Sequence, residues 1–281
     1  MKAPSPFVSL EQGQSVFKDT IAEMTYLEVE AAIGRGAIAL WSMGVIEQHG
    51  PHLPTATDVY IPSARLRAIK ALLADSGIEA LIVPPFYWGV NVVSANFPAS
   101  IKVRAEVMID LVSDVIKSLA GDGVRRVFCV SGHNDGGHNE AVYRAMRKAT
   151  VESSAQACFI CDEAILRRLG IEMSDPHVMP FCVAPNQPPG PFLDIHAGEW
   201  ETSVMLGFNP EVVREDRMTG LVPTNLGPDD LAEWRKGFDA SRRVTPLGYF
   251  GDPAAAHAAR GRASIASEAK AIVQGIRQRV A

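Results

Sequence analysis

The sequence predicts an α/β protein built as three layers, α/β/α, around a mostly parallel sheet. Three observations carry that expectation. Short apolar runs alternate along the chain with stretches of helical periodicity. The runs have continuously apolar centres, as in Ala80-Leu-Ile-Val83 and Val127-Phe-Cys-Val130, which suits strands covered on both faces. Glycines mark most passages between the two kinds of segment.

Taken in order, residues 20–33 set Ile21, Met24, Leu27, Val29 and Ala32 at helical spacing. Gly34 and Gly36 end that helix before a first strand at 37–42. Residues 61–74 read as a helix with Pro62 in its first turn, where a missing N–H is tolerated, and Gly77 stops it. A second strand follows at 79–84. Residues 85–100 are irregular and rich in aromatics and asparagines, the kind of stretch that walls a site. A long amphipathic helix at 101–120 is broken by Gly121 and Gly123 before a third strand at 126–131. Residues 139–151 are helical and 155–161 form a fourth strand. The Pro/Gly-rich stretch 169–195 receives no element and reads as a site cover or subunit contact. Further helices are expected at 197–207, at 228–241 with Asp229 and Asp230 favoured in the first turn, and at 262–280. No repeat, low-complexity tract or linker divides the chain, so a single domain over 1–281 is expected.

Composition narrows the function. The chain is 47% hydrophobic and 21% charged, the balance of a soluble globular protein. A net charge of -5 argues against nucleic acid and anionic membranes as partners. No run is long and apolar enough to cross a bilayer, and the N-terminal residues lack the apolar core of a secretory signal. Cys158 and Cys161 form a C-x-x-C inside an apolar run without a second pair to complete a zinc site. They read as core residues, and a reducing cytoplasm is the expected location.

The chemistry lies in three clusters. Glu47, His49, His52 and Asp58 crowd a Gly/Pro-rich loop straight after the first strand. Two apart on extended backbone, Glu47 and His49 leave the same face, and the carboxyl ends of parallel strands are where ligands bind. Carboxylates mixed with imidazoles suit a divalent cation such as Zn, Mn or Fe. His133 follows the third strand after Ser131-Gly132, and Asp135 repeats the ligand-x-ligand spacing. His138 opens the next helix. A Gly-rich turn here could cradle phosphate, but the lysine and hydroxyl of a P-loop are missing. The third cluster holds His196, Glu199 and Glu201. On a helix the two glutamates point about 200° apart, so only one can face a site. Glu199 also has capping spacing from His196. A metal-dependent hydrolase assembled from all three clusters is the reading these residues support.

The motifs Glu47-Gln-His-Gly-Pro-His-Leu-Pro54 with Asp58, Gly132-His133 after a strand, and His196-Ala-Gly with Glu201-Thr-Ser203 resemble the creatininase (creatinine amidohydrolase) family. Glu23-Met-Thr-Tyr26 and Gly248-Tyr-Phe-Gly-Asp-Pro253 extend the likeness towards both ends. The resemblance implies a creatininase-like α/β/α fold, a homohexamer, and a pair of Zn, Mn or Fe ions. It also implies hydrolysis of non-peptidic or cyclic C–N bonds in a small molecule. By position, Glu47 and His133 would serve one cation and His49 the other, with Asp58 bridging. The fifth ligand would be Asp135 or Glu201, and His196 falls where the family has a catalytic histidine. Ser131-Gly-His-Asn-Asp-Gly-Gly-His-Asn139 and Phe97-Pro-Ala-Ser100 depart from the family pattern beside the substrate pocket, which points away from creatinine itself. The expected chemistry is amide, formamide or lactam hydrolysis by a metal-bridging hydroxide, with His196 passing a proton to the leaving nitrogen. Trp88, Asn96, Phe97 and Trp200 are the candidates for substrate contact. The competing readings are a dinuclear hydrolase of lactones or phosphoesters, and a metal-dependent binding protein without catalysis. The latter would need neither His196 nor Glu201.

Overall fold

Five strands form one sheet in the order β2-β1-β3-β4-β5, every neighbouring pair parallel. They are β1 (Ile38–Met43), β2 (Ala80–Phe86), β3 (Arg126–Ser131), β4 (Gln156–Asp162) and β5 (Val178–Phe181). The helices are α1 (Tyr26–Gly34), α2 (Thr57–Ala74), α3 (Ala105–Gly121), α4 (Gly136–Glu152), α5 (Glu163–Leu169), α6 (Glu199–Phe208), α7 (Glu215–Met218), α8 (Pro228–Trp234), α9 (Phe238–Val244) and α10 (Ala258–Val280). The computed structural model describes residues 15–183 and 192–280. No helix among them is long and apolar enough to cross a membrane.

Both faces of the sheet are covered, which is why the strands read as continuous apolar runs. Trp41, Met43, Cys129 and Phe159 point to one side and pack with Met108, Val112 and Ile116 of α3 and Val142 and Met146 of α4. Ile38, Leu40, Phe128 and Ile160 point to the other and meet Leu66 and Ile69 of α2 and Ile272 and Ile276 of α10. The strand period of two thus feeds two separate cores. The thiols of Cys158 and Cys161 are buried within them, and burial pushes each up to about 12.

Strand order locates the site. From β1 the chain crosses to β2 on one side, then returns to lay β3 against the other side of β1. Ligands bind where successive connections leave in opposite directions, outside the carboxyl ends of the strands. Met43 is level with Ser131 in the ladder, and the Gly132 N–H donates to the Met43 carbonyl at 2.7 Å. The two motif-bearing loops therefore start side by side.

Several elements differ from the sequence expectation, each for a local reason. Helix α2 begins at Thr57, so Asp58 lies in its first turn and Pro62 in its interior. Helix α4 begins at Gly136, because the Asp135 carboxylate caps it by accepting from the Gly137 and His138 N–H groups. Ala197 adopts φ 48, which no helix accommodates, so α6 starts two residues later. The stretch 228–241 splits into α8 and α9 at Gly237, whose φ of 75 reverses the chain. Helix α5, capped by Asp162 and closed by Gly170, was hidden beside a strand of similar composition. Strand β5 was hidden by Pro180, which an edge strand tolerates.

Candidate metal centre

Three parts of the chain converge above β1 and β3. The loop after β1 carries Glu47 and His49, both buried. It is held by hydrogen bonds from Glu47 N to Thr55 O at 2.9 Å and from Gln48 N to Ser100 Oγ at 3.1 Å. Helix α2 brings Asp58 from below. The turn after β3 brings His133, whose carbonyl accepts from Ser131 Oγ at 2.7 Å and Asn139 Nδ2 at 2.8 Å. His196 arrives on a short antiparallel bridge to Phe250 just before α6, and Glu201 on α6 itself.

The side chains form two triads, Glu47–Asp58–His133 and His49–His196–Glu201, each with its ligand atoms within 4.8 Å of one another. Asp58 joins them. Its Oδ2 lies 3.0 Å from His133 Nδ1 and its Oδ1 lies 3.2 Å from His49 Nε2. Glu47 Oε2 is 2.9 Å from the same His133 nitrogen, and Glu201 Oε2 is 3.7 Å from His49 Nε2. One imidazole N–H cannot satisfy two carboxylates. Of the facing atoms, Glu47 Oε2, Asp58 Oδ2 and His49 Nε2 are buried without a hydrogen-bond partner. Unpaired buried polar atoms are costly, and converging oxygens and nitrogens of this kind are what a cation satisfies. The residues fit a metal.

Neighbouring contacts aim the rings. His49 Nδ1 lies 3.0 Å from the Glu47 carbonyl and donates to it, which directs Nε2 to Asp58 and Glu201 and leaves that nitrogen as the ligand atom once the ring is neutral. His196 Nε2 lies 2.8 Å from the Gln48 carbonyl and 3.1 Å from the Gln48 side-chain amide nitrogen, with Glu47 Oε1 at 3.8 Å. Ala197 N donates to Glu201 Oε2 at 2.5 Å, holding that carboxylate inward.

The charges of the metal-free cluster are tightly linked. Burial opposes ionisation of His49, but Asp58, Glu201 and Glu47 outweigh it and push the ring up to about 10. His133 is raised against the same burial by Glu47 and Asp58. Burial acts against the charged forms of Glu47 and Asp58 too, yet the facing imidazoles hold both carboxyls below the ordinary range. Burial pushes Glu201 up to about 7, and burial with the neighbouring His49 drops His196 to about 4.

The other sequence candidates lie elsewhere. Asp135 is outside both triads, its oxygens accepting from the N–H groups of Val92, Val93, Gly137 and His138. Glu199 turns outward to Arg260 at 2.8 Å, leaving Glu201 as the inward glutamate. His52 is buried against Thr202 Oγ1 at 2.9 Å. Trp200 donates to Ser264 on α10 at 2.7 Å and lines a neighbouring cavity. Trp88 is 43% exposed, Asn96 bonds Asp239, and Phe97 lies under the Arg242 guanidinium. The cleft over the triads, about 560 Å³, is walled instead by Trp234 and Ile195, with Arg168 and Arg235 along it. Trp234 stacks on His196 at 5.7 Å and donates to Thr245 at 2.9 Å. No motif in the sequence marks it, because its place depends on remote contacts with Thr245 and Phe250.

Comparison with known proteins identifies the family and the fold. The family model described as creatininase, creatinine amidohydrolase, matches residues 22–276. The chain is 32% identical over 226 residues to a mycofactocin precursor peptide peptidase of Mycobacterium ulcerans, covering 78% of this chain and 76% of that one. It is 27% identical over 237 residues to a creatinine amidohydrolase of Pseudomonas putida, covering 78% and 81%. A solved creatininase variant described as of Zn-Zn type superposes with a TM-score of 0.69 at 22% identity, over 95% of this chain and 99% of that one.

Proposed function

The chain belongs to the creatininase family of hydrolases, and from that premise we propose that it is a metal-dependent amidohydrolase acting on a C–N bond of a small molecule. The observation that carries the reading is Asp58 standing between two buried triads of carboxylates and imidazoles, with Glu47 Oε2, Asp58 Oδ2 and His49 Nε2 left without a hydrogen-bond partner. In this assignment Glu47 and His133 hold one divalent cation, His49 and Glu201 the second, and Asp58 reaches both. Zinc or manganese suits a donor set of nitrogens and oxygens, and iron falls within the same chemistry. When bound, such a pair would supply Lewis acidity and bring the pKa of water down to roughly 7.

The chain's own groups complete the chemistry. His196, dropped to about 4, is neutral at rest and has one nitrogen anchored on the Gln48 carbonyl. In this reading the ring takes a proton from the attacking water and delivers it to the departing nitrogen, which leaves poorly unprotonated. Trp234 and Ile195 wall the cleft with apolar surface and keep bulk water from that transfer. The named activities of the two relatives, one on creatinine and one on a peptide, both break an amide C–N bond, which favours amides over lactones and phosphoesters. Assembly as a homo-oligomer is part of the same reading.

The test is a substrate screen of cyclic amides, formamides and short peptides beside lactones and phosphoesters, with metal-loaded and chelator-treated protein. Amide turnover that chelator abolishes and added metal restores is the expected result. Turnover untouched by chelator, or confined to lactones or phosphoesters, would overturn it.

A further inference from the structure

We propose that Arg168 and Arg235 form an oxyanion subsite at the mouth of the metal cleft, and that the substrate is an amide carrying a carboxylate or phosphate group. The inference rests on the amidohydrolase reading and narrows its substrate.

The two arginines come from different elements, Arg168 from α5 and Arg235 from the end of α8, yet both line the cleft that holds Glu47, Asp58, His133 and Glu201. Arg168 Nη2 donates to the Asn134 carbonyl at 2.7 Å, which fixes the guanidinium one residue from His133. That bond uses one of five N–H donors and leaves the rest of the fork for a ligand. Among the described residues neither arginine forms an ion pair, whereas Arg167, next in sequence, pairs with Glu163 at 2.6 Å and Arg35 pairs with Glu79 at 2.6 Å.

The acids nearby do not neutralise them. Asp135 acts on Arg168 from beyond ion-pair distance, with its oxygens already accepting from backbone N–H groups of the 92–93 segment and of α4. Asp194, also in the cleft, accepts from Glu199 N at 2.7 Å and Trp200 N at 2.9 Å. The Arg168 guanidinium is pushed below its usual range, first by burial and then by the charge of Arg235. Two neighbouring cations that line one cleft and pair with neither of its nearby aspartates are complementary to a bound oxyanion. Arginine forks match carboxylate and phosphate bidentately. Trp234, Ile195 and Leu169 supply apolar wall between that end and the triads, so a substrate with an apolar body and an anionic tail spans the site. A small neutral ring would use neither arginine.

The test reads binding rather than turnover. Benzohydroxamate chelates the metal pair without a charged tail, and its 4-carboxy and 4-phosphono derivatives add one. Titrated into metal-loaded protein, a charged derivative should bind roughly tenfold or more tightly than the parent, as charge-assisted fork contacts allow. Which of the two gains more identifies the oxyanion. In Arg168→Gln/Arg235→Gln the advantage should shrink to about twofold or less, since the fork contacts are gone. The hydrogen bond Arg235 donates among the described residues is from its backbone N–H to the Leu231 carbonyl, so Arg235→Gln alone keeps the test open if the double variant folds poorly. Arg168→Lys should recover part of the advantage. An advantage absent in the wild type, or equal in wild type and variants, would overturn the subsite, even in a protein that hydrolyses amides. An arginine-dependent advantage in a protein that turns over no amide would leave the subsite standing and remove only the amidohydrolase reading. Binding of none of the three compounds would overturn both.

Discussion

Gly132 rests on the main-chain carbonyl of Asp58: a Cβ at position 132 would be driven into that oxygen and into the ring of Pro62. Pro62 has no N–H, so the Asp58 carbonyl lacks its usual helical donor, and the end of β3 packs against the place that donor would have approached. This close approach is what lets His133, one residue on, reach within 3.0 Å of the Asp58 carboxylate. Gly132→Ala should therefore destabilise the protein by about 1–3 kcal/mol, the usual cost of overpacking. It should also weaken metal binding without touching a ligand. Thermal melts with metal-content analysis check both, and a variant with wild-type melting and metal load would contradict the account.

Asp58 and Glu201 differ in what they join. Asp58 faces both triads, whereas Glu201 belongs to one. Asp58→Asn should lose both cations and all turnover, and Glu201→Gln should retain close to one cation per chain. Elemental analysis after dialysis reads the difference, with circular dichroism to establish that both variants stay folded. Equal metal loss in the two would refute the bridging assignment.

The metal-free protein should lose stability as pH rises from neutrality. His49 is raised to about 10 from an ordinary 6.5, so its contribution is complete below pH 6.5 and is lost as pH climbs through 10. Glu201, raised to about 7 from 4.5, favours its protonated form, and that contribution fades between 4.5 and 7. His52 and His196 work oppositely: both drop to about 4, so their contributions hold above 6.5 and vanish only on acidification. Chelator-treated protein should thus melt at progressively lower temperature between pH 7 and about 10. Metal binding near neutrality should release protons, because ligating imidazoles must be neutral. Calorimetry in buffers of different ionisation enthalpy measures that release, and its absence would show that the rings are already neutral.

Much of this was legible in the sequence where chemistry is local. Glu47, His49 and Asp58 share one loop and the turn that follows it, and Gly132-His133 ends an obvious strand, so strand-end reasoning brought them together before any coordinates. The helical period requires that only one of Glu199 and Glu201 face a site, and the structure turns Glu199 out to Arg260 and Glu201 in. What depended on remote packing was not legible. Trp200 and Trp234 are equally plausible aromatics in sequence, but one is drawn to Ser264 on α10 while the other is held beside His196 by Thr245 and Phe250. Asp135 repeats a ligand spacing, yet its carboxylate caps α4 and gathers the 92–93 segment. Short polar side chains at strand-to-helix turns serve either end, and spacing does not tell which.

His196 separates catalysis from assembly. Its ring lies within ligand distance of His49 and Glu201, but its Nε2 is tied to the Gln48 carbonyl and its face is covered by Trp234. If the ring carries protons rather than holding a cation, His196→Ala should leave metal content at the wild-type level and lower kcat by about 10²–10⁴, the usual worth of a positioned acid–base group. KM should change little. Substrates with better leaving nitrogens, such as anilides bearing electron-withdrawing groups, should lose less, because their departure depends less on protonation. A uniform loss across leaving groups accompanied by one missing cation would reassign His196 as a ligand of the second metal.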